Sequence, residues 1–262
     1  MSEIPVTSRD NPVFKRLLKL AESARARREA RMSLLDGEHL LEAYLDAGGE
    51  PHTLVRAASC DAARLDRLAQ RCRQARSLVL PDRLFAELSP VVTPTGVLAE
   101  AAWLEPPAIA GRPLVMVLED IQDPGNLGSM LRAGAAAGAT LAVLSKGCTD
   151  AWSPKALRGG QGAQFVLPLI LAVELDAWLA SFDGQRIALT LAQDEDFYTL
   201  DLTTPLAIIV GNEGAGLSES VCRAASIRTQ IPMTGRVESL NASAALAVAV
   251  FEAARQRRIR TR

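Results

Sequence analysis

The chain has 262 residues, 48% of them apolar, with 29 Lys and Arg against 30 Asp and Glu and a formal net charge of −1. Such a chain can bury a sizeable core in one large or two modest domains, and its charge balance excludes capture of polyanions by overall attraction. No run approaches the 18 apolar residues of a membrane helix and the N-terminus lacks the apolar stretch of a signal peptide; Cys60, Cys72, Cys148 and Cys222 form no C-x-x-C pair, so a soluble cytoplasmic protein with four buried thiols, no zinc site and no disulfide framework is expected.

In chain order, residues 9–31 come first, carrying Arg9, Lys15, Arg16, Lys19, Arg25, Arg27, Arg28 and Arg31 against Asp10, Glu22 and Glu29. Asn11-Pro12 supplies an N-cap and a first-turn proline, and Val13, Leu17, Leu20 and Ala24 recur at helical spacing. Most of the basic residues fall off that stripe, as either a solvated helix face or a surface for RNA phosphates. Residues 34–103 alternate short apolar runs with helical patterns, which predicts a small α/β domain. His39 and His52, the two histidines of the chain, lie far from the later motifs and read as structural or exposed. EPPAIAGRP at 105–113 reads as a linker, dividing the chain into 1–104 and 114–262.

LVMVLED at 114–120 predicts a buried strand, followed by a turn into a helix with small residues. Asn126 sits where that helix is expected to begin and Arg132 six positions on, as either a cap and a surface charge or an anion-binding pair. TLAVLSKG, SPKALRGGQGAQFVLPLIL, ELDAWLASF and RIALTLA continue the alternation of strand and helix, which predicts a parallel sheet covered on both faces. LAIIV at 206–210 is a further buried strand, and Gly211-Asn212-Glu213-Gly214-Ala215-Gly216 lets the backbone turn sharply after it. The loop is neither a P-loop nor a dinucleotide fingerprint, leaving a tight turn or a ligand loop. Further on, Ser239, Asn241 and Ser243 stand before an Ala-rich helix, more capping-type residues than one helix start requires.

DPGNLGSMLRAG at 123–134, IVGNEGAGLS at 209–218 and IPMTGRVESLNAS at 231–243 together resemble the three motifs of the SpoU (TrmH-type) RNA 2′-O-methyltransferases, within the SPOUT superfamily. Residues 8–41 and TPTGVLAEA at 93–101 resemble the substrate-binding domain that many members carry. The resemblance implies an α/β chain whose parallel-sheet methyltransferase domain is tied in a trefoil knot, an exception to unknotted topology, with a small N-terminal α/β RNA-binding domain similar to a ribosomal protein. It implies S-adenosylmethionine as cofactor, held at Gly211, Asn212, Ile231, Met233 and Leu240. Asn126, Arg132, Glu213, Ser239 and Asn241 would line the acceptor site. Glu213 would orient Asn126 or Arg132, while Ser239 and Asn241 hold the ribose or the methionine end of the cofactor.

Arg132 is too basic to be an ordinary proton acceptor, so its expected roles are gripping the target phosphate and orienting the 2′-hydroxyl, with the role of base that the resemblance implies standing as the alternative. Arg9, Lys15, Arg16, Arg25 and Arg28 are the expected RNA contacts. The family further implies a homodimer, no metal, and a ribosomal RNA substrate, 23S above all. A transfer RNA target, or a non-catalytic RNA-binding protein of the same fold, stands as the alternative; a nucleotide-dependent enzyme of the doubly wound class lacks its fingerprint here. Two departures stand out: Gly159-Gly160, where members often have Ala-Ser, which is expected to loosen that helix end, and Ala242, where Val is common.

Overall fold

The computed structural model describes residues 3–61, 66–72, 74–89, 91, 94–190, 195–236 and 239–259. It divides into two compact units, Met1–Glu105 with Asp150–Phe165, and Pro106–Thr149 with Val166–Arg262.

The first unit opens with β1 (Glu3–Pro5), α1 (Pro12–Glu22), α2 (Ala24–Ala30), β2 (Met32–Asp36) and α3 (Glu38–Asp46). It continues through β3 (Thr53–Ala57), α4 (Asp66–Arg71), β4 (Arg76–Leu80), α5 (Asp82–Leu88) and β5 (Val97–Ala102). The strands form one sheet in the order β1-β4-β3-β5-β2, with β5 antiparallel to both its neighbours. Asn11 caps α1 by accepting from the Val13 N–H, with Pro12 in the first turn. The helix does not run on to Ala24 as the spacing suggests. Ser23 leaves helical geometry and its hydroxyl accepts from the Ala26 N–H, so Ala24 starts a second helix, and the stripe buried in the core is Phe14, Leu17 and Leu20. That stripe packs on Leu34, Val55, Leu78 and Leu98 of the sheet and on Phe85 and Leu88 of α5. Residues 62–65, within the helical pattern expected at 63–75, lie outside the described residues.

The second unit begins with β6 (Leu114–Leu118), α6 (Pro124–Ala137) and β7 (Leu141–Ser145). The chain then re-enters the first unit with α7 (Pro154–Gly160) and most of α8 (Ala163–Val166). There Trp152 stacks on Trp103 at 4.9 Å, and Ser33 Oγ accepts from Trp103 Nε1 and donates to the Trp152 carbonyl. Arg27 is 4% exposed. Its guanidinium donates to Asp150 Oδ2 at 2.7 Å and to the carbonyls of Leu20 and Ala21 at 2.6 and 3.0 Å.

The second unit is completed by β8 (Leu169–Val173), α9 (Leu175–Ser181), β9 (Gln185–Leu189), β10 (Glu195–Asp196), β11 (Leu206–Val210), α10 (Glu219–Ala224), β12 (Ile227–Gln230) and α11 (Ala242–Ile259). The sheet runs β10-β12-β9-β11-β6-β7-β8, and every neighbouring pair is parallel, in accord with the sequence. Leu191 and Ala192, expected to extend β9, lie outside the described residues. Val115, Val117, Ala188, Ala207 and Ile209 face α9 and α10 through Leu175, Leu179 and Val221. By the alternation of a strand, Met116 faces the other way, and there α6 crosses so closely that a Cβ on Gly134 would overlap the Met116 thioether. α11 packs on α6 and is anchored by Arg257, which donates to the carbonyls of Arg112, Pro113, Leu202 and Thr204.

Among the described residues no helix is long and apolar enough to cross a membrane. The four thiols are free, but only Cys72 is fully buried. Cys60, Cys148 and Cys222 lie just after strands or on a surface helix, where one side meets solvent. Burial raises the Cys72 thiol to about 11, and raises Cys148 and Cys222 too.

Candidate active site

In a parallel sheet a ligand cleft forms where successive crossovers leave in opposite directions, at the C-terminal ends of the strands. Here the chain runs outward from β6 through β7 and β8, then returns to β9 and inserts β11 against β6. The loops following β6 and β11 therefore sit side by side at the switch point. They are the first and second motif segments.

The β11 loop closes on itself. Asn212 N–H donates to the Gly216 carbonyl at 3.0 Å and Gly216 N–H to that of Asn212 at 2.9 Å. A Cβ on Gly211 would overlap the Gly216 carbonyl and come within 2.7 Å of the Leu217 nitrogen, and Gly216 has φ +72. Two of the three glycines are thus required by the turn itself. The Asn212 side chain braces the loop, its oxygen accepting from the N–H groups of Gly214 and Ala215 at 2.8 and 2.9 Å while its Nδ2 donates to the Asp120 carbonyl at 2.9 Å.

Asp120, in the β6 loop, sits at φ +52, a region that non-glycine residues rarely adopt. Ser145 at the end of β7 holds it there, its hydroxyl donating to the Asp120 carboxylate at 2.6 Å and accepting from the Asp120 N–H at 2.9 Å. Gly147 leaves the room that this carboxylate needs. Two more bonds tie the loops: Ser218 N–H to Glu119 Oε2, and Asn126 Nδ2 to Glu213 Oε1, each 2.8 Å.

The cap of α6 is Asp123, not Asn126: its carboxylate accepts from the Asn126 N–H at 2.8 Å. With the helix already capped, the Asn126 carboxamide is free to reach Glu213. Arg132 lies six residues on, about 9 Å along the axis and roughly a third of a turn round from Asn126. It is exposed and makes no hydrogen bond or ion pair with any described residue.

Ile231 is buried and directly follows β12. Both β11 and β12 pair with β9, Ile209 and Arg228 each opposite Ala188, so Gly211 and Ile231 leave the sheet at similar levels, two strand spacings or about 10 Å apart. Met233 is half-buried and Ser239, Leu240 and Asn241 are exposed, while Val237 and Glu238 lie outside the described residues. Asn241 caps α11, its side-chain oxygen accepting from the N–H and hydroxyl of Ser243 at 2.9 and 2.7 Å. No hydrogen bond among the described residues joins the 239–241 segment to Gly211, Glu213, Asn126 or Arg132.

Of the basic residues singled out in the first unit, Arg9 pairs with Glu87, Lys15 with Asp10, Arg16 with Glu100 and Arg25 with Glu29. Arg28 is exposed and without an ion pair to a described residue. Arg27 faces inward, contrary to its place in the basic run, because Asp150 and two helix carbonyls satisfy it there. Asp120, Asp123, Ser145 and Glu119 also build the site, though no motif singles them out. Only Asp123 had a signal, in the Asp-Pro pair that opens a helix. Among the described residues no group of three His, Cys, Asp or Glu is placed to hold a metal ion.

Comparison with known proteins agrees with this arrangement. Residues 113–251 match the SpoU rRNA methylase family and residues 11–99 the MRM3-like substrate binding domain. A protein named as an uncharacterized tRNA/rRNA methyltransferase of Synechocystis is 35% identical over 96% of this chain and 93% of its own length. A 23S rRNA (guanosine(2553)-2′-O)-methyltransferase of Bacillus subtilis is 30% identical over 89% and 92%. The crystal structure of an S-adenosylmethionine-bound rRNA methyltransferase from Sinorhizobium meliloti superposes with a TM-score of 0.82 at 29% identity, covering 96% of this chain and 97% of that one. The chain therefore belongs to the SpoU rRNA methylase family.

Proposed function

We propose that the chain transfers a methyl group from S-adenosylmethionine to a ribose 2′-hydroxyl of ribosomal RNA, 23S above all. The observation that carries the reading is the Asn126–Glu213 hydrogen bond, which joins two motif segments across the C-terminal ends of neighbouring strands. When bound, the cofactor supplies a methyl on a sulfonium sulfur. The residues present fit it: Gly211 and Ile231 stand about 10 Å apart, and Ile231-Pro232-Met233-Thr234-Gly235 carries no charge, as suits a neutral adenosine moiety. In this reading Gly211, Asn212, Ile231, Met233 and Leu240 hold the cofactor, largely by main-chain groups.

Methyl displacement needs the acceptor oxygen in line, and the proton that the 2′-hydroxyl loses would pass to water, which reaches this edge of the site where Glu213 and Arg132 are exposed. Asn126 spends its Nδ2 on Glu213, which leaves Oδ1 to accept from the 2′-hydroxyl. Arg132, unpaired among the described residues, offers its fork to the phosphate beside the target ribose. Ser239 donates from its hydroxyl and Asn241 from Nδ2, since its oxygen is taken by the α11 cap. In this reading residues 1–104, completed by 150–165, form the RNA-selecting domain, 105–113 the linker and the rest of 114–262 the knotted catalytic domain of a cytoplasmic homodimer in which α11, with Phe251 50% exposed, meets its counterpart. The presence of Asn126, Arg132, Glu213, Ser239 and Asn241 together argues against a non-catalytic relic.

The test is methyl transfer from labelled S-adenosylmethionine to total RNA from a strain lacking the gene, read by nucleoside mass spectrometry. A labelled 2′-O-methylnucleoside in ribosomal RNA is expected. No incorporation, from protein that binds the cofactor, would overturn the proposal. Arg132→Ala is expected to abolish transfer while leaving cofactor affinity and thermal midpoint unchanged; full activity would remove Arg132 from the site.

A further inference from the structure

The first unit holds a cavity of about 390 Å³ at the N-terminal ends of β3 and β4, a volume within the range of small-ligand sites. Thr53 and Arg76, the first residues of those strands, face each other in register. Arg16 enters from α1, and Glu50, His52 and Gln74 complete the wall.

Behind the wall lies Glu100, 2% exposed. One of its oxygens, Oε2, accepts from Thr53 Oγ1 at 2.7 Å and from Arg16 Nη2 at 2.8 Å. Burying a carboxylate is costly; here it fixes a guanidinium whose other N–H groups remain available at the cavity. The Arg76 side chain is exposed and makes no hydrogen bond or ion pair with a described residue. The cations Arg16 and Arg76 are balanced by the anions Glu50 and Glu100. A pocket for a bare anion has no use for Glu50. A ligand with an anionic end and a hydrogen-bond-donating end does.

We propose that this cavity receives one unpaired nucleotide of the RNA substrate, its phosphate against Arg16 and Arg76 and the donor edge of its base against Glu50. RNA is read in sequence chiefly through unstacked bases, and His52 supplies a ring on which one can stack. A carboxylate takes two parallel donors, which guanine offers through N1–H and N2–H₂ and uracil does not, so the pocket selects guanine over uracil. This assignment rests on the RNA reading of the chain, and it moves recognition from the helical face of residues 9–31 to a concave site that shares only Arg16 with it.

The experiment titrates the full-length chain with 5′-GMP, 5′-UMP and inorganic phosphate by calorimetry, and measures methyl transfer to ribosomal RNA with Arg76→Glu and Glu50→Gln. Expected are binding of GMP at least about fivefold tighter than UMP or phosphate, loss of that preference in Glu50→Gln, and loss of GMP binding in Arg76→Glu. Arg76→Glu is also expected to raise KM for RNA by about tenfold with kcat and S-adenosylmethionine affinity unchanged. GMP binding no tighter than phosphate, or an unchanged KM in Arg76→Glu, would overturn the assignment. Failure of the wild-type chain to methylate any RNA would instead sink the proposed function, and the GMP titration would still decide the pocket.

Discussion

Replacing Arg27 by Met tests whether residues 150–165 are held in the first unit by the Arg27–Asp150 pair. The two side chains are 5% and 10% exposed and 2.7 Å apart, so removing the cation strands a carboxylate away from water, a loss of about 3–5 kcal/mol for a buried pair broken on one side. The carbonyls of Leu20 and Ala21 also lose a donor, worth about 1 kcal/mol each when water does not replace it. Domain stabilities are about 5–15 kcal/mol, so the variant should be near the edge of folding. The chain has three tryptophans: Trp103 and Trp152 stack on each other in this unit, whereas Trp178 lies in the other, against Phe182. In a Trp178→Phe background, fluorescence in a urea titration therefore follows the first unit alone. The double variant Arg27→Met/Asp150→Asn should lose less than the sum of the single losses, with a coupling of about 2 kcal/mol or more. A single variant within about 0.5 kcal/mol of its parent, the scatter of surface substitutions, would refute the reasoning, as would strict additivity.

Gly211→Ala places a methyl against the loop's own Gly216 carbonyl; strain of about 1–3 kcal/mol should lower the thermal midpoint and weaken S-adenosylmethionine binding measured by calorimetry. Arg257→Lys replaces a fork serving four carbonyls by a point charge, and an urea midpoint should report a loss of about 1.5–3 kcal/mol. Asp36 is held above its ordinary 3.8 by burial, against the opposing effects of the Ser89 hydroxyl and the Arg158 charge. Its folded form thus binds the proton more tightly than its unfolded form, and its contribution to stability is complete below 3.8 and lost as pH rises through the raised value. Asp36→Asn should therefore gain on the wild type as pH increases from 4, read from urea midpoints across pH 4–8; a constant difference would contradict the assignment.

The buried strands were legible because a parallel strand covered on both faces is an uninterrupted apolar run, as in Leu114–Leu118 and Leu206–Val210. β12, Ile227-Arg228-Thr229-Gln230, was not: it lies next to the two-residue edge strand β10 and carries polar residues. β2 was missed because Arg31 ends the preceding helix at φ +52, where a glycine would have announced the stop. The motif residues could be picked out by their resemblance to the three family motifs, since spacing alone left Asn126 and Arg132 as a cap and a surface charge, but their partners could not. Asn126 meets Glu213 across 87 positions and Arg27 meets Asp150 across 123, and local periodicity carries no information at that range. The αL conformation of Asp120 is likewise invisible, since it depends on Ser145 from the neighbouring strand.

The return of the chain at Asp150 bears on synthesis. Residues 1–105 leave the ribosome first, yet their unit is closed by residues 150–165. The intervening stretch takes roughly 2–9 s to translate at ordinary elongation rates. During that delay the nascent chain holds Trp103 without its stacking partner and Arg27 without its counter-ion. Wherever α2 and the edge strand β2 meet water in that interval, they present apolar surface and an unpaired cation to the cell. A pause site placed between codons 105 and 165 would lengthen that exposure.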